Sequence, residues 1–169
     1  ASSGRTHRAG AAGARVLERV AAGGPLPRDI VTRHALENAA ALVAATGGST
    51  NAALHLPAIA NEAGILFTFD DVAAVLARTP HVANLKPGGL YNARDVYEAG
   101  GVPVILRQLL EGGYLHGDCL TVTGRMLAEE VAGAQDPDGE VIRPIDRPIS
   151  PTGGVQVLKG NLCTDGAIL

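Results

Sequence analysis

The sequence predicts an α/β chain that is mainly helical up to about residue 113 and richer in β-structure after about residue 136. In the first part, apolar residues recur at helical spacing between good N-caps and terminating glycines. In the second part, short apolar runs alternate with Pro and Gly, as in strands joined by turns. An apolar content of 46% with 18% charged residues is typical of a folded globular chain.

The helical part is expected to begin after a flexible lead at residues 1–14, which is rich in Gly, Ala, Ser and Arg. A short helix over 15–22 should follow and end at a Gly-Gly-Pro sequence. Residues 27–31 are predicted to form an extended connector, because proline fixes its own backbone and disfavours helix just before it. Thr32 is a good N-cap for the next helix, over 33–45.

Ser49 is predicted to cap a helix over 50–63, which is apolar almost all round and should therefore be buried, with a kink at Pro57. Residues 68–71 resemble a capping box, with Asp in place of Glu, and open a helix through about residue 78. Two further helices are predicted. One covers 92–99 and ends at a Gly-Gly pair, and the other, an apolar helix over 104–110, follows Pro103, which suits a first helical position.

The C-terminal part is predicted to contain short strands linked by turns. A strand with turns is expected over 114–123, followed by a short helix over 125–132 and a turn at 136–139. Two more strands are expected at 141–142 and 155–158. We therefore expect a domain boundary between the helical part and these strands.

The charge pattern excludes some classes of partner. The formal net charge is −3 and the chain has no Lys/Arg cluster of the kind that binds nucleic acid. No run of about 18 apolar residues exists, so no membrane span is expected. Cys119 and Cys163 are far apart; they are interpreted as free, buried thiols in a reducing cytoplasm, with a single disulfide as the alternative.

The most informative candidate site is the glycine turn, formed by Gly47, Gly48, Ser49, Thr50 and Asn51. Two glycines before a capped helix leave backbone amides free at a helix N-terminus, where the helix dipole also favours an anion such as a carboxylate or a phosphate. The structural alternative is a tight turn between two helices. A P-loop is excluded, because no Lys follows the glycines.

Two pairs, each of one histidine and one acidic residue, are weaker candidates for a functional site. His55 and Glu62 lie on one predicted helix, but their spacing is not that of a metal pair, so a core or interface histidine is favoured. His116 and Asp118 can point the same way along the predicted strand. They are either an acid/base or ligand pair, or a hydrogen-bonded structural pair.

Neither the cysteines nor the paired aspartates supply a complete metal site. An iron–sulfur cluster normally needs three or four thiolates, and the two cysteines belong to no Cys-x-x-Cys motif. Asp70 and Asp71 could bind a hard cation, but helix capping is the preferred interpretation. This chain alone therefore cannot bind an iron–sulfur cluster in the usual way.

Several strings, in order along about residues 14–169, resemble the dihydroxy-acid dehydratase and sugar-acid dehydratase family. The longest of them are Pro27-Arg28-Asp29-Ile30-Val31-Thr32-Arg33, Leu36-Glu37-Asn38-Ala39, Ala45-Thr46-Gly47-Gly48-Ser49-Thr50-Asn51-Ala52, Ala58-Ile59-Ala60-Asn61-Glu62-Ala63-Gly64, His116-Gly117-Asp118-Cys119-Leu120-Thr121-Val122-Thr123-Gly124-Arg125 and Leu158-Lys159-Gly160-Asn161-Leu162. The string over 116–124 is most similar to the dihydroxy-acid dehydratases of branched-chain amino-acid biosynthesis.

The resemblance implies a cytoplasmic hydro-lyase that converts a 2,3-dihydroxy carboxylic acid to a 2-oxo acid, with an iron–sulfur cluster, [2Fe–2S] or [4Fe–4S], and Mg²⁺ as cofactors. It implies an α/β N-terminal domain followed by a β-barrel-like swivelling domain, in a homodimer or homotetramer. On this basis we divide the chain into the lead at 1–14, the end of the first domain at 15–118, and a linker with the first strands of the second at 119–169.

The resemblance also implies that the cluster cysteines, the Mg²⁺ ligands and the catalytic serine of the family lie outside this sequence. On this basis no catalytic and no metal-binding residue is expected here, and only the glycine turn is expected near the active site. We expect a central fragment, since the sequence lacks an initiator Met and ends in apolar residues. The alternatives are a sugar-acid (aldonate or phosphogluconate) dehydratase and a non-catalytic remnant or interaction module.

Overall fold

The computed structural model describes residues 3–169. Within that range the chain forms eight helices and one two-stranded antiparallel sheet. In chain order they are α1 (Ser3–Ala21), α2 (Pro27–Ile30), α3 (Arg33–Thr46), α4 (Ala52–Glu62), α5 (Phe69–Arg78), α6 (Ala93–Glu98), α7 (Val102–Glu111), α8 (Leu127–Val131), β1 (Val157–Gly160) and β2 (Cys163–Ile168). The structure is therefore mainly helical with a small β-element at its C-terminal end, as the sequence predicts.

Helix α3 is the centre of the fold, because it contacts α4, α5 and α7. Its inward-facing residues are small, and four alanines on it are fully buried, which lets the neighbouring helices approach closely. The main core lies between α3 and α7, where Ile105 and Leu109 are buried together with Val82 and Ile142 from the connecting segments.

A second apolar cluster attaches the β-hairpin to the helices. Val155, Val157 and Ile168 pack with Val72 and Leu76 of α5. Strands β1 and β2 pair in antiparallel register, with Val157 opposite Ile168 and an irregularity between Leu158 and Gly160. The hairpin thus places the residues just before it against the C-terminal end of α3.

The first two segments differ from their prediction. One helix, α1, covers Ser3–Ala21, where a flexible lead and a short helix were expected. Alanine and arginine are strong helix formers, and here they outweigh Gly10 and Gly13. The expected connector at 27–31 instead contains α2, because Pro27 occupies a first-turn position where its missing N–H is not needed.

Helix α4 begins later and is less buried than predicted. Asn51, rather than Ser49, is its N-cap residue, and the Ser49 hydroxyl accepts a hydrogen bond from the Asn51 amide at 3.2 Å. Leu54 is 71% exposed and Ile59 is 47% exposed, so only one face of the helix is buried. The prediction of a wholly buried helix was wrong, because an apolar surface does not show which faces have neighbours.

The predicted strand over 114–123 was also wrong. This segment is a series of turns with one isolated bridge between Leu120 and Met126. The side chain of Asn38 forms hydrogen bonds with both backbone groups of His116: it accepts from the amide at 2.8 Å and donates to the carbonyl at 2.9 Å. Those groups are then unavailable for a β-ladder. The pair at 141–142 likewise forms only one bridge, from Ile142 to Ala83.

The capping box of α5 is confirmed. The Asp71 amide donates to the Thr68 hydroxyl at 3.3 Å, and the Thr68 amide donates to the Asp71 carboxylate at 2.6 Å. Arg33 of α3 pairs with the same carboxylate at 2.6 Å. The Thr68 amide, followed by Arg33, lowers the pKa of Asp71 from 3.8 to about 2.

We predict that Asp71→Asn lowers the free energy of unfolding at pH 7 by about 1 kcal/mol, because it removes the charge that strengthens the bond from the Thr68 amide and the ion pair with Arg33. Because the folded pKa of Asp71 is depressed to about 2, this stabilisation is complete above the unfolded pKa of 3.8 and is lost as the pH falls towards 2. Urea unfolding between pH 2 and pH 7 measures the difference. Asp146→Asn, at an exposed carboxylate, is the control, and a pH-independent difference would contradict the prediction.

Candidate functional site

The glycine turn follows directly from the end of α3. Gly47 has a φ of 58°, in the left-handed region that favours glycine, and it is the C-cap of the helix. The amide of Gly48 donates to the carbonyl of Val43 at 3.0 Å. The first glycine is therefore needed for the helix to end and reverse direction within one residue.

Segments distant in the sequence satisfy the last carbonyls of α3. The carbonyl of Ala45 accepts from the amides of Val82 and Ala83, both at 2.9 Å. The carbonyl of Ala44 accepts from the amide of Gly154 at 3.0 Å. These are carbonyls that a helix end leaves without internal partners, so the turn is fixed from both sides by tertiary hydrogen bonds.

Two glycine pairs of the sequence meet at this point. A Cβ atom built on Gly154 would lie 2.8 Å from the Cα of Gly47, and one built on Gly153 would lie 2.9 Å from the Cβ of Ala44. Both distances are too short for a side chain. Gly153 and Gly154, more than a hundred residues from Gly47 in the chain, therefore permit a close contact with the end of α3 and with Gly47.

The outer side of the glycine turn is open. Ser49, Thr50 and Asn51 are exposed. Among the residues that the structure describes, the amides of Ser49 and Thr50 donate no backbone hydrogen bond. Two free donors just before the N-terminus of α4 are what an anion such as a carboxylate requires.

The histidines singled out in the sequence are not part of this turn. His55 is exposed on α4. His116 does not pair with Asp118 as proposed, because it is not in a strand; its Nε2 atom lies 2.8 Å from Glu37 Oε2. The ring of His116 also stacks on His34, with ring centres 3.9 Å apart.

A second group of polar side chains lies around Asn38. We call it the Asn38 cluster; it consists of His34, Glu37, Asn38, His116 and Cys119. The Asn38 side chain is buried, binds both backbone groups of His116, and donates to Cys119 Sγ at 3.3 Å. Both polar atoms of the Asn38 side chain therefore have hydrogen-bond partners. This arrangement holds the loop after α7 on α3 and has the character of a structural network.

The Asn38 cluster and the glycine turn lie at different ends of α3. From Glu37 to Gly47 the helix rises about 15 Å, at the usual rise per residue. The sequence placed His116 among the candidate residues but missed His34, Glu37 and Asn38. The string over 36–39 was noted as part of a motif, yet no local signal connects it with residue 116.

The paired aspartates have partners within the chain. Asp71 binds Thr68 and Arg33, and Asp70 forms a salt bridge with Lys159 of β1. The capping interpretation of Asp71 is thus confirmed. No group of three or more His, Cys, Asp or Glu side chains suited to a metal ion occurs among the residues described.

The two cysteines are free thiols in contrasting surroundings, so the expectation of two buried thiols holds for one. Cys119 is buried, and burial, followed by the nearby charge of Asp118, raises the pKa of its thiol. Cys163 is exposed on β2 and donates to the carbonyl of Gly166 at 3.0 Å.

We predict that Cys163 reacts with iodoacetamide about tenfold faster or more than Cys119 in the native protein, because a buried thiol reacts only when the fold opens locally. Mass spectrometry after timed quenching measures both rates. In denaturant the two rates should become similar, which serves as the control. Equal rates in the native protein would contradict the prediction.

Residues 1–130 match the family described as dihydroxy-acid/6-phosphogluconate dehydratase N-terminal, and residues 140–169 match its C-terminal counterpart. No helix in the described part of the chain is long and apolar enough to cross a membrane.

Three relatives illustrate the similarity. Dihydroxy-acid dehydratase 3 of Bradyrhizobium diazoefficiens is 62% identical over 158 residues, which cover 94% of this chain and 27% of the relative. Dihydroxy-acid dehydratase 2 of Bordetella bronchiseptica is 63% identical, over 94% of this chain and 28% of the relative. The dihydroxy-acid dehydratase of Roseiflexus sp. is 57% identical, over 85% of this chain and 26% of the relative. The chain thus spans about a quarter of the length of these relatives.

Proposed function

Since the chain belongs to the dihydroxy-acid/6-phosphogluconate dehydratase family, we propose that it is part of a hydro-lyase that dehydrates a 2,3-dihydroxy carboxylic acid to a 2-oxo acid. The observation that carries this proposal is the identity of 62% and 63% to two dihydroxy-acid dehydratases over 94% of the chain. The corresponding biological role is branched-chain amino-acid biosynthesis. The cytoplasmic location and the homodimer or homotetramer remain predictions.

Within that enzyme, we propose that the glycine turn lies beside the active site and binds the carboxylate of the substrate. The free amides of Ser49 and Thr50 support this, because every substrate of the class carries a carboxylate and two adjacent donors match it. Gly47 and Gly48 supply the backbone shape that exposes those amides. No residue of this chain is assigned a catalytic or metal-binding role.

The iron–sulfur cluster and Mg²⁺ that the family implies are not matched by the side chains described. The thiol of Cys119 is buried against Asn38, and that of Cys163 lies on an exposed strand bonded to Gly166. Each is a single thiol without the further thiolates that a cluster needs. We therefore propose that the ligands of both cofactors belong to parts of the enzyme outside these residues.

We further propose that the chain joins two domains of that enzyme. Residues 15–118 would belong to the α/β N-terminal domain, and 119–169 to a linker and the first strands of a β-barrel-like swivelling domain. The hairpin of β1 and β2 supports the second assignment. Its apolar face packs on α5, so we expect the contact between the two domains to include this surface.

The function is tested by assaying the protein encoded by the complete reading frame. We expect it to form 2-oxo acids from branched 2,3-dihydroxy acids, detected as their phenylhydrazones, and expect the 169-residue chain alone to be inactive. Turnover of aldonates or phosphogluconate alone would favour the sugar-acid dehydratase alternative, which the family description also includes. A complete protein that turns over neither class would support the non-catalytic alternative.

The proposed role of the glycine turn has its own test in the same enzyme. Thr50→Pro removes one of the two free amides, whereas Thr50→Ala keeps it and is the matched control. We expect the proline variant to raise the KM about tenfold, the effect of losing about 1.4 kcal/mol of binding. Equal KM values for the two variants would show that this amide does not bind the substrate.

A further inference from the structure

The side chain of His81 lies against both Gly47 and Gly154, beside their close contact. A Cβ atom on Gly47 would lie 3.1 Å from His81 Nε2, and one on Gly154 would lie 3.1 Å from Nδ1. The imidazole therefore fills the volume that side chains at both positions would otherwise take. It is the side chain that borders the glycine turn on the side facing the hairpin segment.

The orientation of this ring is fixed. Nε2 of His81 lies 2.9 Å from the carbonyl of Ala83, and since a carbonyl only accepts, Nε2 carries the hydrogen. The backbone amide of His81 donates to Ser150 at 3.0 Å, and its carbonyl accepts from Ile149 at 2.8 Å. The ring is thus held both by its own hydrogen bond and by a backbone paired with the 149–150 segment.

Gly47 depends on such support more than other residues would. A glycine has access to a wide range of backbone conformations, so a left-handed glycine followed by three exposed residues can rearrange easily. The hydrogen bonds of the Gly47 and Gly48 amides fix the start of the turn, and the carbonyls of Ser49 and Thr50 accept from the amides of Ala52 and Ala53 at 3.1 and 3.2 Å, which fixes its end. Neither set of bonds includes the amide of Ser49. A rigid ring against Gly47 removes the alternative conformations on that side.

We propose that His81 is a positioning residue: its imidazole, held against Gly47 and Gly154, fixes the glycine turn and thereby the direction of the Ser49 and Thr50 amides. This inference rests on the proposed role of the turn in binding the substrate carboxylate. His81 acts on the substrate only through the turn. Its loss is therefore expected to change substrate affinity more than the rate of the chemical step.

The test uses the complete enzyme with His81→Ala, which empties the space, and His81→Gln, which retains a donor for the carbonyl of Ala83. We expect the alanine variant to raise the KM about tenfold, the equivalent of about 1.4 kcal/mol, with a smaller change in kcat. The glutamine variant should restore most of the affinity. If His81 had only a structural role, both variants would have a lower Tm, and KM would not change more than kcat.

Three outcomes are decisive. An alanine variant that folds and keeps the wild-type KM, while Thr50→Pro raises it, overturns the positioning role and leaves the function of the turn intact. If Thr50→Pro also leaves KM unchanged, the proposed function of the turn fails instead. Should the alanine variant not fold, His81→Leu replaces it: this variant fills the space but has no donor for the carbonyl of Ala83, and a KM equal to the wild-type value overturns the proposal.

Discussion

Replacing Asn38 by alanine is expected to lower the free energy of unfolding by about 2–3 kcal/mol, the range for buried polar groups left without partners. The substitution removes the bonds to the amide and carbonyl of His116 and the donor to Cys119. The two backbone groups of His116 then lie half-buried without a partner. The loop after α7 should also detach more readily from α3.

Urea unfolding followed by circular dichroism measures this loss as a lower midpoint. Asn61→Ala, at an exposed position of α4, is the matched control and should change the stability by less than about 0.5 kcal/mol. The Asn38→Ala protein should also expose Cys119 to faster alkylation. A stability equal to that of the Asn61 variant would show that the cluster around Asn38 does not hold the loop.

Gly153→Ala is expected to lower the free energy of unfolding by about 1–3 kcal/mol, as overpacking of a buried site does. The added methyl carbon would lie 2.9 Å from both the Cβ of Ala44 and the carbonyl oxygen of Leu76. Ala44 is on a fully buried face of α3 and Leu76 is in α5, so neither can move aside cheaply. The segment carrying Gly153 must shift away instead.

Thermal unfolding measures the effect, and limited proteolysis should show earlier cleavage within 155–169. Gly133→Ala is the matched control, because a Cβ there has no neighbour within 4 Å and the backbone is not left-handed. That variant should be as stable as the wild type or slightly more so, since alanine has less freedom than glycine in the unfolded chain. Equal Tm values for the two variants would contradict the close contact.

Local signals predict most of the helices correctly. Thr32 and Thr68 cap α3 and α5 by the hydrogen bonds that their sequences indicate. Helix α6 lies where it was predicted, with Asn92, which was expected inside the helix, as its N-cap. Capping involves residues within one turn of each other, so the sequence contains the whole interaction. The same is true of the left-handed glycine at 47, whose conformation follows from the helix that it ends.

Tertiary partners explain the segments that were predicted wrongly. The backbone of His116 is bound by Asn38, which no pattern around residue 116 reveals. Apolar Leu54 and Ile59 are exposed because nothing in the described chain covers that side of α4. Likewise, the meeting of Gly47 with Gly154 and the packing of His81 against both depend on contacts between distant segments. The composition of the candidate site could therefore be predicted, but its supporting residues could not.

The way in which α3 ends has a consequence for its dynamics. Helix ends normally fray on their own, because their terminal groups are bonded only to water. Here the carbonyls of Ala44 and Ala45 bind amides from 82–83 and from Gly154, so opening this end requires three segments to separate together. The amides of Val82, Ala83 and Gly154 should then exchange their hydrogens for deuterium only through a cooperative opening of the surrounding unit.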